Sequence, residues 1–104
     1  MKITIEELQE YLFDHYKNGG IDQSLFMKLV EEIGEVAEVL NKKAGRKSVG
    51  QEDLQTQLGN ELADVVHYTI AIAALNGIDM NDIILSKDKD ASIKYNHRIN
   101  LEQF

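Results

Sequence analysis

Apolar residues return at intervals of three and four along most of this chain, and the pattern predicts four helices and no strand. The first helix opens at Ile3-Thr4-Ile5-Glu6-Glu7-Leu8. There Thr4 suits an N-cap, Glu7 suits the returning bond of a capping box, and Ile3 and Leu8 suit a hydrophobic staple. Leu8, Leu12 and Tyr16 continue it at a spacing of four, and Asn18-Gly19-Gly20 is expected to end it through a left-handed residue. The second helix runs from about Gln23 to Lys43, with Leu25, Phe26, Leu29, Val30, Ile33, Val36, Ala37 and Leu40 as an apolar stripe. Ala44 to Gly50 interrupts the pattern with two glycines. The third helix, from about Asp53 to Leu75, repeats it with Leu54, Leu58, Leu62, Val65, Thr69, Ile72 and Ala73. Asn76-Gly77 stops it, and Asp79 and Asp82 suit the cap and third position of a fourth helix from Met80 to about Tyr95. Residues 96–104 carry no assignable pattern.

Four helices with short connections predict an all-α, antiparallel four-helix bundle forming one domain over 1–104, with its core at about 23–95. Ile70, Ala71, Ala74 and Leu75 widen the apolar face of the third helix beyond one stripe. A second copy of the chain is the simplest cover for that surplus, which predicts a homodimer or a dimer of dimers.

Composition narrows the chemistry. The 104 residues include no Cys, which excludes disulfides, thiol nucleophiles and Cys-ligated zinc, and no Pro, so nothing forces a helix to break. The longest apolar run, Ile70 to Leu75, is too short to span a bilayer, and Glu6 and Glu7 stand where a signal peptide needs an apolar stretch. A cytoplasmic protein without a membrane partner is expected. The net charge of −7 disfavours binding to a nucleic-acid backbone. That charge is local: without Glu31, Glu32, Glu35, Glu38, Glu61 and Asp64 the balance would be −1.

Two acidic pairs stand out. At about 100° per residue, Glu32 and Glu35 lie about 60° apart on their helix, as do Glu61 and Asp64 on theirs, each pair flanking an apolar stripe. The midpoint of each pair is 14.5 residues from Ser48 in the intervening loop, so a hairpin folded about that loop brings the pairs to one level. Four converging carboxylates repel one another unless protons or cations intervene. An all-oxygen donor set suits a hard cation, Mg²⁺ or Mn²⁺. A single E-x-x-E spacing is commonly only a solvated helix face; the matched register of two pairs is what favours a site. Gly34 and Gly59, inside these helices, suggest a close helix approach.

Lys28-Leu29-Val30-Glu31-Glu32-Ile33-Gly34-Glu35-Val36-Ala37-Glu38, followed by Glu61-Leu62-Ala63-Asp64-Val65-Val66, resembles the MazG family of nucleoside triphosphate pyrophosphohydrolases. The hallmark E-E-x-x-E, spacer, E-x-x-D is complete, and the resemblance extends from Leu25 to about Lys94. It implies hydrolysis of a nucleoside triphosphate between the α and β phosphates, giving a monophosphate and pyrophosphate, with house-cleaning of the nucleotide pool as a role. By motif position, Glu32, Glu35, Glu61 and Asp64 would hold Mg²⁺, with Glu35 and Glu31 counted as catalytic. Glu31 would stand behind the metal ligands, or would orient or deprotonate the attacking water, and Lys28 would touch phosphate. These roles fit what a divalent ion and a neighbouring carboxylate do in phosphate chemistry.

The C-terminal part departs from the family, where a basic residue and an Asn near the end of the fourth helix serve the triphosphate. Lys87, Lys89, Lys94, Asn96 and Arg98 are all candidates here, with Lys94 and Arg98 preferred because they lie one turn apart if the helix continues, though a solvated basic helix end accounts for them equally. Tyr68 shares a stripe with Gln57, Glu61 and Asp64 and could pack against base or sugar, whereas His67 points away and is expected in a core or interface. Asp64-Val65-Val66-His67 is not half of a di-iron site, because no Glu-x-x-His is present. Gly45-Arg46-Lys47-Ser48 is not a P-loop, because its glycine spacing is wrong. Two alternatives remain open: an enzyme like phosphoribosyl-ATP pyrophosphohydrolase, and a non-enzymatic acidic module that dimerises through its apolar faces.

Overall fold

The computed structural model describes residues 1–45, 50 and 53–104, so Arg46, Lys47 and Ser48 lie outside the described residues. Four helices follow in order, α1 (Ile5–Tyr16), α2 (Asp22–Lys43), α3 (Leu54–Leu75) and α4 (Met80–Lys94), and no strand occurs among the described residues. Side chains set the starts of α1, α3 and α4, while α2 begins after Ile21 with no side-chain cap. Thr4 and Glu7 exchange backbone bonds of 3.0 Å in the expected capping box. Asp53 caps α3 through the Thr56 N–H at 3.1 Å, and Asp79 caps α4 through the Asp82 N–H at 3.1 Å. Gly77, at φ +64°, ends α3, with the Gly77 and Ile78 N–H groups donating to the Ala74 and Ala73 carbonyls.

α2 and α3 form the central hairpin. Asn76 donates to the Asp22 carboxylate at 3.2 Å at one end, and Lys43 donates to Gln55 at 2.9 Å at the other. Both contacts centre one residue past Ser48 in sequence, so the register agrees with that expected from the acidic pairs. α1 packs on the second half of α3. There Leu12, Leu25, Ile70 and Ala71 make the buried core, with Ile5, Leu8, Tyr16, Tyr68, Ile72, Leu75 and Met80 around them. α4 contacts the rest of the chain mainly through α1, where Gln9 of α1 bonds the Ile78 carbonyl and the Met80 N–H. The tail turns back onto α4, with the Leu101 N–H donating to Asp88 at 2.7 Å. The arrangement is open: the radius of gyration is 16.7 Å, against about 13 Å for a close-packed domain of this length.

Four local expectations change. Ile70, Ala71 and Ala74 are buried by α1 of the same chain, so they are not surplus surface for a second copy. On α2 the inward positions are Leu25, Leu29, Glu32, Val36 and Val39, at alternating steps of four and three, which leaves Phe26, Val30, Ile33, Ala37 and Leu40 of the apolar stripe outward. Gly34 and Gly59 mark no close approach, because a Cβ on either would meet nothing within 4 Å. Nor do Gly19 and Gly20 have positive φ; α1 ends at a right-handed Lys17.

Gly20 is needed for space instead. A Cβ there would lie 2.8 Å from Leu75 Cδ1, 2.8 Å from the Tyr16 carbonyl oxygen and 2.9 Å from Tyr16 Cβ. Two of these neighbours are fixed to the α1 backbone and cannot swing away. Gly20→Ala is therefore expected to cost about 1–3 kcal/mol, the usual range for overpacking. Gly19→Ala, with open space around it, is the matched control. Urea unfolding of both variants checks this, and equal stabilities would refute it.

Candidate metal centre

The seam between α2 and α3 holds the acids. One carboxylate oxygen each from Glu32, Glu61 and Asp64 lies within 4.8 Å of the others. Glu35 faces Glu61 from one turn further along α2, and the two help to line a pocket of about 250 Å³ with Glu38, Val39, Lys42 and Gln57. The expected convergence thus occurs as a close group of three with the fourth beside it. Glu32 takes its inward position from the seven-residue spacing with Leu25 and Val39, so packing of α2 on α3 necessarily carries a carboxyl into the seam.

The electrostatics are those of crowded acids. Glu32 Oε2 and Glu61 Oε2 are buried, and no hydrogen-bond donor reaches either. What faces them is other carboxyls. Contact with the Glu35 carboxyl, then with that of Glu32, favours a shared proton and pushes Glu61 up to about 7; partial desolvation and the repulsion of the same two groups add to it. Orphaned acceptor oxygens among like charges are what a bound cation resolves, and this donor set is all oxygen, with no His or Cys. The residues present therefore fit a hard divalent ion.

Around this group the remaining candidates divide. Lys28 lies 3.4 Å from Glu31, both well exposed, and that carboxylate, with a contribution from Tyr68, holds the Lys28 ammonium above its ordinary pKa. Glu31 is thus turned to Lys28 and is not one of the three converging acids. Tyr68 is half-buried, one turn past Asp64. His67 lies at the α1–α3 junction, with Tyr16 Oη 2.7 Å from Nε2. Lys94 lies over the Tyr95 ring at 5.4 Å, and among the described contacts nothing brings Lys94 or Arg98 to the acids. Glu38 and Lys42 were not singled out from the sequence. Their offsets of three and seven from Glu35 place them on its face, and that spacing was the available signal.

No helix among the described residues is long and apolar enough to cross a membrane. The family model described as MazG nucleotide pyrophosphohydrolase domain matches residues 22–99, three quarters of the chain. No curated protein and no solved structure matches it.

Proposed function

This chain belongs to the MazG nucleotide pyrophosphohydrolase family, and from that premise we propose that it hydrolyses a nucleoside triphosphate between the α and β phosphates, with Mg²⁺ held by Glu32, Glu35, Glu61 and Asp64. The observation that carries the metal reading is the pair of buried, donorless oxygens on Glu32 and Glu61. Mn²⁺ offers similar coordination and is an expected substitute. The ion would neutralise phosphate charge and lower the pKa of a water.

The chain's own groups supply the rest. Glu31 takes the proton of the attacking water, and Lys28 moves from Glu31 to a phosphate oxygen as substrate enters. Until then the two are paired with each other at 3.4 Å. Tyr68 packs on base or sugar. Lys94 and Arg98 sit at and beyond the end of α4, so a triphosphate contact from them takes a second copy. Removal of unwanted nucleotides from the pool is the role this chemistry serves. Hydrolysis in ¹⁸O-water tests the reaction: label is expected in the monophosphate or pyrophosphate. Orthophosphate as first product would sink the reading, and absence of any hydrolysis across a panel of triphosphates would favour the dimerisation module.

A homo-oligomer is part of the proposal, on a surface other than the one first expected. Phe26, Met27, Val30, Ile33 and Leu40 on α2, with Leu62 and Val66 on α3, are each 45–58% exposed. On each helix the centre of this strip is turned about 110° from the seam in the same rotational sense. In an antiparallel pair that brings both strips to one flank. Contiguous apolar surface of that kind is rare on monomers. A second copy presents the same strip, so two hairpins complete a four-helix core. Sedimentation at micromolar concentration is expected to give a dimer or tetramer, and Phe26→Glu a smaller species. A monomeric wild type would refute this.

A further inference from the structure

Tyr16 stands at the end of α1, outside the residues that match the family, yet its hydroxyl lies 2.7 Å from His67 Nε2 on the helix that carries Glu61 and Asp64. The imidazole sits between two phenol rings, edge to face with both. Its centroid is 5.7 Å from Tyr16 at 84° and 4.9 Å from Tyr68 at 71°. His15 backs the array, 4.7 Å from the Tyr16 ring and nearly perpendicular to it. Burial, then the neighbouring Tyr68, holds the Tyr16 hydroxyl above its ordinary pKa, so it keeps its proton. A protonated phenol can donate to Nε2 or accept from it, and either way the bond ties the imidazole to α1.

Tyr68 is half-buried, beside Lys28 and one turn past Asp64. Its ring has two free dihedrals, and a ring is orienting only when something fixes them. His67 supplies one wall, and His67 is itself held by a hydrogen bond from another helix. We propose that Tyr16 and His67 are positioning residues that hold the Tyr68 ring for the nucleoside part of the substrate, so that α1 sets substrate affinity without touching substrate. The proposal rests on the reading of Tyr68 as a base or sugar contact.

Steady-state kinetics with Mg²⁺, following pyrophosphate, test it in a double-mutant cycle. Tyr16→Phe removes one hydroxyl and keeps the ring. It should raise KM about three- to tenfold, the worth of one hydrogen bond, and leave kcat within about twofold. In a Tyr68→Ala background the same substitution should add nothing. His67→Gln, whose amide can bond the Tyr16 hydroxyl in either direction, should stay near wild type, while His67→Leu should match Tyr16→Phe. The ¹⁵N shift of His67 Nε2 should report the hydrogen bond in wild type and its loss in Tyr16→Phe. An unchanged KM in Tyr16→Phe would overturn the proposal, as would an equal rise with and without Tyr68. An unchanged KM in Tyr68→Ala would instead overturn the assignment of Tyr68, and the proposal with it. Should Tyr16→Phe fail to fold, the contrast between His67→Gln and His67→Leu decides.

Discussion

Asp64→Asn and Glu35→Gln are each expected to lower turnover by about two to four orders of magnitude while the fold persists. Each amide keeps the size of the carboxylate and removes its charge, so the loss falls on metal affinity and on the charge balance of the seam. Asp64 is one of the three acids within 4.8 Å of one another, and Glu35 faces Glu61 at the adjoining pocket. Neither is held by a backbone contact whose loss would unfold a helix; both are exposed on helices packed by other residues. Pyrophosphate release at saturating Mg²⁺, beside a thermal melt of each variant, measures the two effects separately. Wild-type turnover in either variant would falsify the assignment of these acids to the centre.

The second large effect is on stability. In the folded protein Glu61 titrates near 7, against 4.5 for an unperturbed glutamate. The folded state therefore binds more protons than the unfolded chain between those values, and metal-free stability falls as pH rises through that window. Above it, the acids are charged and crowded, and a divalent ion has most to gain. At pH 8 and free Mg²⁺ at 100 times its dissociation constant, linkage gives about 2.7 kcal/mol, or a rise in melting temperature of about 10–20 °C. Near pH 5 the proton on Glu61 competes and the rise should shrink. Glu61→Gln should melt above wild type without metal at pH 8, lose most of the pH slope, and gain less from Mg²⁺. NaCl at matched ionic strength controls for general screening of the net charge. Equal Mg²⁺ responses in wild type and Glu61→Gln would mean that the acids of α2 and α3 do not act as one site.

Two helix starts were legible because each rests on two or three neighbouring residues: Thr4 with Glu7, and Asp79 with Asp82, cap as local spacing predicts. Asp53, expected as the first residue of its helix, is instead the cap of α3, and α2 begins after Ile21 with no side-chain cap. The level of the acids was legible for a related reason: a hairpin with a short loop leaves little freedom in register, and the Asp22–Asn76 and Lys43–Gln55 contacts sit within one residue of the expected centre. What could not be read was rotation about a helix axis. The stripe on α2 includes Leu25, which is buried, and Ile33, which is half-exposed, and periodicity alone weights them equally. The choice between them is tertiary: placing Glu32 in the seam turns Ile33 outward. The same limit misassigned Ile70, Ala71 and Ala74, whose cover is α1. Gly20 illustrates a different limit, since its need for space comes from how the chain folds back on Tyr16 and from Leu75, far along the chain.

The attachment of α4 mainly to α1 divides the molecule into parts of unequal cooperativity. Ser92 is the one buried residue of α4, whereas α3 buries Ile70, Ala71, Ala73 and Ala74. Segments with few buried contacts open with less free energy than the whole, and their amides exchange with solvent sooner. Amide protons of α4 should therefore exchange well ahead of those of α2 and α3, with those of α1 between. The helix that bears Lys94, and leads on to Arg98, is thus the one that can detach and re-form while the hairpin keeps its acids in place.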